Sequence, residues 1–415
     1  MWLVWVSLVS LVTGECYWRS KSHYLFYGNK TPYDIVRGDI REVQPLEGCS
    51  PASIWFMVRH GTRFPDKRDR HALRETSRMK DQIIQSHIQG NGSMCKEDIE
   101  VLKSWSWDKK LADLTSFLTL EGYKELMHFG MRFGERFPEF LDSLDDYSVQ
   151  ATKEQRTAMS ARAFLRGVRR NKLWDIKLKR VKDDMIIRPY RHCKKRAMEA
   201  LRSKKMMLEI EKFTQTEEFQ MMTQRIRHRT GLLHLTEDDI IDLYNLCRYL
   251  RSFEPDKTNP WCAIFRDKDL EVLEYVEDIR HYYVNGYGTS MNPILGASGL
   301  KNMYEKFAIA HNGTNTLSAY FSHGAMVDMM YTALGMFQWP IRGLNRDVNR
   351  VWRKSFMTPF GGTLIAILQR CDIGQDKVQF FTNEKEIFPC GEHICTWKEF
   401  ERKFEQYLDN VIDFC

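Results

Sequence analysis

The strongest hydrophobic pattern is a continuous apolar run from Ser53 to Val58, which predicts a strand buried on both faces. Other short apolar runs also predict strands, and they cover residues 147–152, 317–321, 363–369 and 378–381. Because these runs lie towards both ends of the chain, we predict a single sheet assembled from its two ends.

Helical periodicity fills the intervals between these strands. Apolar side chains recur at helical spacing over residues 121–137, which end before Pro138, and residues 156–169 form a second helical run. The composition changes over residues 180–288, which are rich in Lys, Arg, Glu, Met and Leu and poor in Gly and Pro. Three helices are predicted in this middle region, over residues 196–222, 236–253 and 269–283, with Thr236 as a helix cap.

These patterns predict an α/β fold with an inserted, mostly helical second domain. Residues 1–14 are predicted to be a signal peptide, 15–179 and 291–415 the two parts of the α/β domain, and 180–290 the helical domain. The first segment is apolar, too short to span a bilayer and ends in small residues; a buried N-terminal strand is the alternative. No later stretch approaches the ~20 apolar residues of a membrane helix.

The cysteine content indicates an exported protein. The chain contains ten cysteines, and disulfides persist in oxidising compartments. Glycosylation sequons at Asn29, Asn91 and Asn312 agree with export. The chain ends in Asp413-Phe414-Cys415, which is not an ER-retention signal. We therefore predict that the protein is secreted.

The charge balance favours an anionic partner. Lys and Arg number 62 against 55 Asp and Glu, a net charge of +7, and a basic cleft concentrates anions. The charge is spread along the chain without a nucleic-acid-binding motif, so we predict no nucleic-acid partner. An ordinary basic solvated surface is the other reading of this modest excess. The sequence contains no indication of the oligomeric state.

The candidate chemistry lies directly after the first buried strand, in the segment RHGTRFP from Arg59 to Pro65. Reactive groups in open α/β sheets lie beyond the carboxyl ends of strands. A neutral imidazole such as that of His60 can attack phosphorus. The guanidinium groups of Arg59 and Arg63 match phosphate oxygens, and Gly61 permits a sharp turn near the phosphate. Together these residues predict phosphoryl transfer.

This segment resembles the signature of the histidine acid phosphatases, Arg-His-Gly-x-Arg-x-Pro. The resemblance extends to the multiple inositol polyphosphate phosphatase branch over most of the chain following residue 14. The segments that carry it are 27–33, 259–262, 272–275, 285–288 and 383–385. It implies a histidine-phosphatase-like α/β domain and hydrolysis of inositol polyphosphates through a phosphohistidine.

The resemblance also implies roles for individual residues. His60 matches the phosphorylated histidine, and Arg59 and Arg63 the motif arginines. Arg156 matches a third phosphate-binding arginine, and His323 a phosphate-binding histidine from the second half of the fold. Without the resemblance, the sequence indicates that Arg156 is a solvated helix residue. His323 is then equally compatible with a histidine buried in the core.

Cysteine pairs follow from the resemblance in the same way. It implies the disulfides Cys49–Cys371 and Cys247–Cys262, and Cys390–Cys395 is expected as a local loop. No cysteine spacing resembles a zinc site, so no metal or cofactor is predicted.

One position departs from the branch. The branch has a proton-donating Glu two residues after the matching histidine, where this chain has Ala325. Losing a general acid typically costs ~10²–10⁴ in rate. Asp328, three residues further on the same helical face, and Asp66, directly after Pro65, are the candidate replacements, and each has an ordinary solvated or capping role as its alternative.

Basic side chains after the motif are candidates for further substrate contacts. Lys67 and Arg68, followed by Arg70, are predicted to bind peripheral phosphates of the substrate, or else to form a solvated basic loop.

We therefore predict a secreted phosphomonoesterase for inositol polyphosphates. A catalytically impaired polyphosphate-binding protein is the alternative favoured by Ala325. A phosphotransferase or mutase is a third reading, because phosphohistidine can pass its phosphoryl group to acceptors other than water.

Overall fold

The protein is described from a computed structural model. It describes residues 16, 24–108, 114–168, 179–181, 185–255, 257, 259–409, 412–413 and 415. The predicted signal segment lies outside these residues. Among the described helices, none is long and apolar enough to cross a membrane.

The strands are β1 Cys49–Arg59, β2 Asp146–Thr152, β3 Lys179–Val181, β4 Thr316–Ser322, β5 Thr363–Cys371, β6 Lys377–Thr382, β7 Lys385–Ile387 and β8 Cys395–Thr396. The helices before β4 are α1 Tyr33–Val36, α2 Lys67–Ser77, α3 Met79–Ile88, α4 Lys96–Ser104, α5 Leu120–Arg136, α6 Pro138–Asp142, α7 Gln155–Val168, α8 Lys194–Glu199, α9 Lys204–Thr214, α10 Glu217–Thr230, α11 Glu237–Phe253, α12 Asp267–Asn285 and α13 Met291–His311. After β4 come α14 Gly324–Ala333, α15 Lys354–Met357 and α16 Trp397–Phe404. Single 3-10 turns cover Gly28–Lys30, Pro189–Arg191, Cys262–Ile264 and Glu405–Tyr407.

The strands form one mixed sheet, as the sequence predicted. Its order is β3-β2-β4-β1-β5-β6-β7, with β8 paired to β6. Strand β1 is parallel to β4 and antiparallel to β5, so the centre of the sheet joins strands from both ends of the chain. The predicted strands are confirmed. Strand β1 extends beyond the predicted run because β5 pairs with it as far back as Cys49.

The side chains on the two faces of β1 pack into two different hydrophobic cores. Phe56 packs with Phe129 of α5 and Phe164 of α7 on one face. On the opposite face Trp55 and Met57 belong to a cluster that continues into helices α10, α11 and α12. The inserted helices therefore share a continuous apolar core with the sheet, which fixes their position beside the carboxyl edge of its strands.

The prediction of a single helix over residues 196–222 was wrong. The structure has three helices there, α8, α9 and the first part of α10. The Ser203 hydroxyl accepts from the Met206 N–H at 3.1 Å, and the Thr216 hydroxyl accepts from the Phe219 N–H at 3.4 Å. Each hydroxyl caps a new helix, so the chain turns at positions where its periodicity alone suggested continuity. Helices α2 to α4 and α13 were also absent from the sequence prediction.

All ten cysteines are paired. The expected disulfides Cys49–Cys371, Cys247–Cys262 and Cys390–Cys395 are confirmed. Two further disulfides join distant parts of the chain, Cys16–Cys95 and Cys193–Cys415. Such cross-links stabilise the fold chiefly by restricting the unfolded chain.

The structure argues against glycosylation at one of the three sequons. Thr31 is buried, and its hydroxyl donates to the Gly28 carbonyl at 2.9 Å. The amide nitrogen of Asn29 lies 2.8 Å from Nε2 of His281, so this side chain is already engaged within the protein. Asn91 and Asn312 are exposed.

A buried ion pair joins the carboxyl-terminal strands to helix α5. Arg132 donates two hydrogen bonds to the Glu384 carboxylate, at 2.7 and 2.6 Å, and both side chains are almost fully buried. Glu384 also accepts from the Ile40 N–H at 3.3 Å. Removing one member would leave a buried charge without its partner, which is the costly way to break such a pair.

We predict that Glu384→Ala lowers the free energy of unfolding by about 3–5 kcal/mol. Urea denaturation measures the change. The matched control is Glu254→Ala, which breaks the exposed Lys257–Glu254 pair and is expected to cost at most about 1 kcal/mol. Equal losses in the two variants would contradict the structural role assigned to the buried pair.

Candidate active site

Three neighbouring parallel strands deliver the predicted residues to one edge of the sheet. Strand β1 ends at Arg59, directly before His60, and β4 ends directly before His323. Strand β2 ends at Thr152, and Arg156 follows in the first turn of α7. Because these strands are parallel in the order β2-β4-β1, their carboxyl ends lie side by side.

His60 is held at the centre of this edge as a neutral ring. Its backbone N–H donates to the Ser322 carbonyl at 3.1 Å. Nδ1 lies 2.8 Å from the Gly61 carbonyl, which can only accept, so Nδ1 carries the proton and Nε2 the lone pair. Burial, reinforced by Arg156 and Arg59, holds the pKa of His60 well below its ordinary value. An unprotonated imidazole nitrogen is therefore available to attack.

The backbone after His60 is fixed by close packing against helix α5. A Cβ atom added to Gly61 would lie 2.3 Å from the Gly122 carbonyl oxygen, so both elements need glycine at this crossing. Glu125 accepts from the N–H and hydroxyl of Thr62 at 2.7 and 2.9 Å. Burial raises the pKa of Glu125 to about 7, although hydrogen bonds from Thr62 and Tyr33 oppose the rise.

The guanidinium group of Arg59, the residue before His60, is held by two carbonyl groups and an aromatic ring. Nη1 donates to the carbonyls of Asn29 at 2.6 Å and Thr358 at 2.8 Å, and the group stacks 4.4 Å above the ring of Phe360. Burial and the charge of Arg63 lower the pKa of Arg59 to about 9. Arg63 itself is half-buried and donates to the Phe64 carbonyl at 2.8 Å.

His323 and Arg156 meet on the other side of His60. The two histidine rings are 5.5 Å apart, and Nη2 of Arg156 lies 3.5 Å from Nδ1 of His323. Nε of Arg156 is buried and has no hydrogen-bond partner within the described structure. Burial lowers the pKa of Arg156 to about 10. This buried donor makes Arg156 a suitable partner for a bound anion.

A carboxylate missing from the sequence prediction lies close to His323. Glu154 lies 3.6 Å from Nε2 of His323 and accepts from Arg188 at 2.6 Å. Burial lowers the pKa of His323 to about 4, although Glu154 opposes that shift. Burial disfavours the ionised form of Glu154, but His323, Thr152 and Arg188 together hold its pKa below the ordinary value. The position of Glu154, just beyond a strand and two residues before Arg156, was the available sequence signal.

The two candidate proton donors occupy different environments. Asp328 is buried and forms an ion pair with Lys354, and it accepts from Thr358 at 2.8 Å and Asn285 at 3.2 Å. All of these partners donate to Asp328, so its carboxylate acts as a hydrogen-bond acceptor. Asp66 instead caps helix α2 through a 2.9 Å bond from the Asp69 N–H and lines an open cleft.

That cleft of about 800 Å³ separates the motif segment from helices α9, α11 and α12. Arg68 lies on its wall, whereas Lys67, the first residue of α2, is exposed and is not part of the cleft lining described. Asn29, whose carbonyl accepts from Arg59, also lines it. The described lining includes neither His60 nor Arg59, Arg63 or Arg156, so the cleft adjoins the motif segment through Asn29 and Asp66.

Comparison with known proteins agrees with this geometry. A model of the histidine phosphatase superfamily (branch 2) matches residues 53–384. The chain is 28% identical to multiple inositol polyphosphate phosphatase 1 of Drosophila melanogaster, with 92% of this chain and 85% of that protein covered. The human protein of the same name is 24% identical, with 87% and 82% covered.

Solved structures show the same fold. The phytase from D. castellii superposes with a TM-score of 0.77 at 18% identity, covering 94% of this chain and 86% of that one. The Bifidobacterium longum multiple inositol polyphosphate phosphatase, solved with inositol hexasulfate, superposes with a TM-score of 0.66 at 14% identity, covering 88% and 92%. With the family model spanning most of its length, this chain belongs to the histidine phosphatase superfamily, branch 2.

Proposed function

We propose that the protein is a secreted phosphomonoesterase that acts on inositol phosphates through a phosphohistidine intermediate at His60. The observation that carries the proposal is the buried, neutral imidazole whose Nδ1–H is held by Gly61, which leaves Nε2 unprotonated among arginine side chains. This combination supplies a nucleophile and a binding site for phosphoryl oxygens in one place.

In the first step, Nε2 of His60 attacks phosphorus while the bond from phosphorus to the ester oxygen breaks. Arg59, Arg63 and Arg156 neutralise charge on the phosphoryl oxygens. The ester oxygen takes a proton and leaves as the alcohol. In the second step, water attacks the phosphohistidine, and the nitrogen–phosphorus bond breaks to release phosphate and restore His60.

The substrate class is supported by the relatives. The two animal relatives are named for inositol polyphosphates, and the Bifidobacterium longum structure was solved with inositol hexasulfate. The cleft beside His60 offers space for the alcohol part of such an ester. We infer an inositol phosphate as the substrate here on these grounds.

Secretion is supported by the covalent structure. Five disulfides, three of them joining distant segments, suit an oxidising compartment rather than the cytosol. The exposed sequons at Asn91 and Asn312 are compatible with passage through the secretory pathway.

The least complete part of the proposed catalytic site is the group that protonates the leaving alcohol. Ala325 is the second residue of helix α14, at the position where the resemblance implies a donating Glu. Of the two replacement carboxyl groups, we propose Asp66, because it lines the cleft while Asp328 is engaged with Lys354. The same alanine favours the second candidate function, a protein that binds phosphate esters with little turnover.

We predict that His60→Ala abolishes phosphate release from every inositol phosphate, from the monophosphate to the hexakisphosphate, because the nucleophile is lost. A colorimetric phosphate assay at several pH values measures this. The control is His311→Ala, which removes a histidine stacked on Trp397 away from the sheet edge, and it should retain activity. Binding of the esters without release by the unaltered protein would favour the binding function instead.

We predict that Asp66→Asn lowers kcat for inositol phosphates by ~10²-fold, the range expected for loss of a general acid. Nitrophenyl phosphate should be affected far less, because nitrophenolate leaves without prior protonation. Ala325→Glu added to Asp66→Asn should restore part of the loss by returning a carboxyl group to the position implied by the resemblance. An equal loss on both kinds of substrate would rule out the donor role of Asp66.

The lowered pKa of His60 predicts its behaviour in acid. A histidine with a lowered folded-state pKa remains neutral as the pH falls through the ordinary value of about 6.5. We expect the His60 ring to be unprotonated at pH 5. NMR of isotopically labelled histidine rings, assigned with His60→Ala, measures this. Protonation with a midpoint near pH 6.5 would contradict the neutral nucleophile.

A further inference from the structure

The cleft beside the motif segment carries almost no net charge. Its lining contains four cationic side chains and five carboxylates, with the histidine neutral. The cationic residues are Lys30, Arg68, Arg248 and Arg280, and the acidic residues are Asp66, Asp69, Asp238, Asp242 and Glu277. The overall positive charge of the chain is therefore not concentrated in this cleft.

Three of the four cationic side chains in the lining are already engaged within the protein. Arg248 and Arg280 both form ion pairs with Glu277, at 2.9 and 2.7 Å. Nζ of Lys30 lies 4.6 Å from the ring centre of Tyr249. Burial, together with Arg248 and Arg63, holds the pKa of Lys30 well below its ordinary value. Arg248 and Arg280 share the single negative charge of Glu277, so together they offer only one net positive charge to a ligand.

One wall of the cleft is apolar. Helix α9 contributes Met206 and Ile210, helix α11 contributes Ile241, and Leu201 and Leu73 complete this surface. An apolar wall cannot replace the water that solvates phosphate groups, so placing several phosphates against it carries a desolvation cost.

The negative charge of an inositol polyphosphate is unfavourable beside the carboxylates of this lining. A phosphate monoester carries about −1.5 to −2 at pH 7, so the five further phosphates of inositol hexakisphosphate bring roughly −8 to −10 into the cleft. Like charges placed together oppose binding and discriminate between partners. An ester with one or two phosphates places most of its charge at the arginines around His60. It places hydroxyl groups, rather than phosphates, in the cleft.

We propose that this cleft makes the enzyme selective for sparsely phosphorylated inositols, with one or two phosphates, over inositol hexakisphosphate. The selectivity rests on the proposed function, since it concerns the alcohol part of the same substrates. Asp69, Asp238 and Asp242 are the specificity-determining carboxylates.

The test compares kcat/KM for inositol monophosphate, bisphosphate and hexakisphosphate at pH 7 and 0.15 M salt. We expect the monophosphate or bisphosphate to exceed the hexakisphosphate by about tenfold or more. A hexakisphosphate value equal to or above the others overturns the selectivity, while the proposed hydrolysis itself stands.

Binding tests the same selectivity without turnover. Calorimetry with the His60→Ala protein should give tighter binding of inositol bisphosphate than of inositol hexakisphosphate. Tighter hexakisphosphate binding overturns the proposal whether or not the unaltered protein hydrolyses any ester. Absence of hydrolysis with preserved binding order counts against the proposed function alone.

Variants that remove charge from helix α11 test whether the carboxylates of the cleft cause the selectivity. Asp238→Asn with Asp242→Asn removes two negative charges from helix α11, away from the sheet edge. We expect kcat/KM for the hexakisphosphate to rise by about threefold to tenfold and that for the monophosphate to change less than twofold. The matched control is Asp81→Asn with Asp372→Asn, which removes two exposed charges outside the cleft lining. An equal response from both pairs, or no response from either, overturns the role assigned to the cleft.

Discussion

Burial of strand β1 between two partners and two cores is the constraint on which the active-site geometry depends. Its backbone is paired with β4 on one side and β5 on the other, and its side chains enter opposite cores. A strand covered in this way has little freedom of position, because its polar groups and apolar side chains are all committed. Arg59 and His60 emerge from it at a fixed place, and parallel β4 sets His323 beside them.

The same rigidity explains how several cations can lie together. Arg59 is buried, Arg156 is half-buried and the charge of Arg63 acts on both, an arrangement that costs free energy until an anion arrives. Carbonyl groups hold Arg59, and Glu154 lies beside the His323–Arg156 pair. The site is therefore organised before the phosphate binds, and binding replaces an electrostatic cost with charge-assisted hydrogen bonds.

The phosphoryl site and the cleft come from different parts of the chain. The sheet edge supplies the arginines and histidines, whereas helices α9, α11 and α12 supply the outer wall. Because the helices share a core with the sheet, their position relative to the sheet is fixed. The chemistry and the choice of alcohol therefore rest on separate sets of residues, and the helical wall can change its charge without disturbing His60.

The sequence by itself determined five of the eight described strands, the two-ended sheet and the motif from Arg59 to Pro65, because these depend on local periodicity and residue type. The family resemblance implied the disulfides Cys49–Cys371 and Cys247–Cys262, and Cys390–Cys395 was expected as a local loop. The sequence analysis missed the breaks at Ser203 and Thr216, where a single hydroxyl decides between a continuous helix and a turn. Only the tertiary structure decided which carboxylates serve the site: it brought Glu154 to His323, engaged Asp328 with Lys354 and left Asp66 in the cleft. Those outcomes depend on long-range packing, which no spacing along the chain encodes.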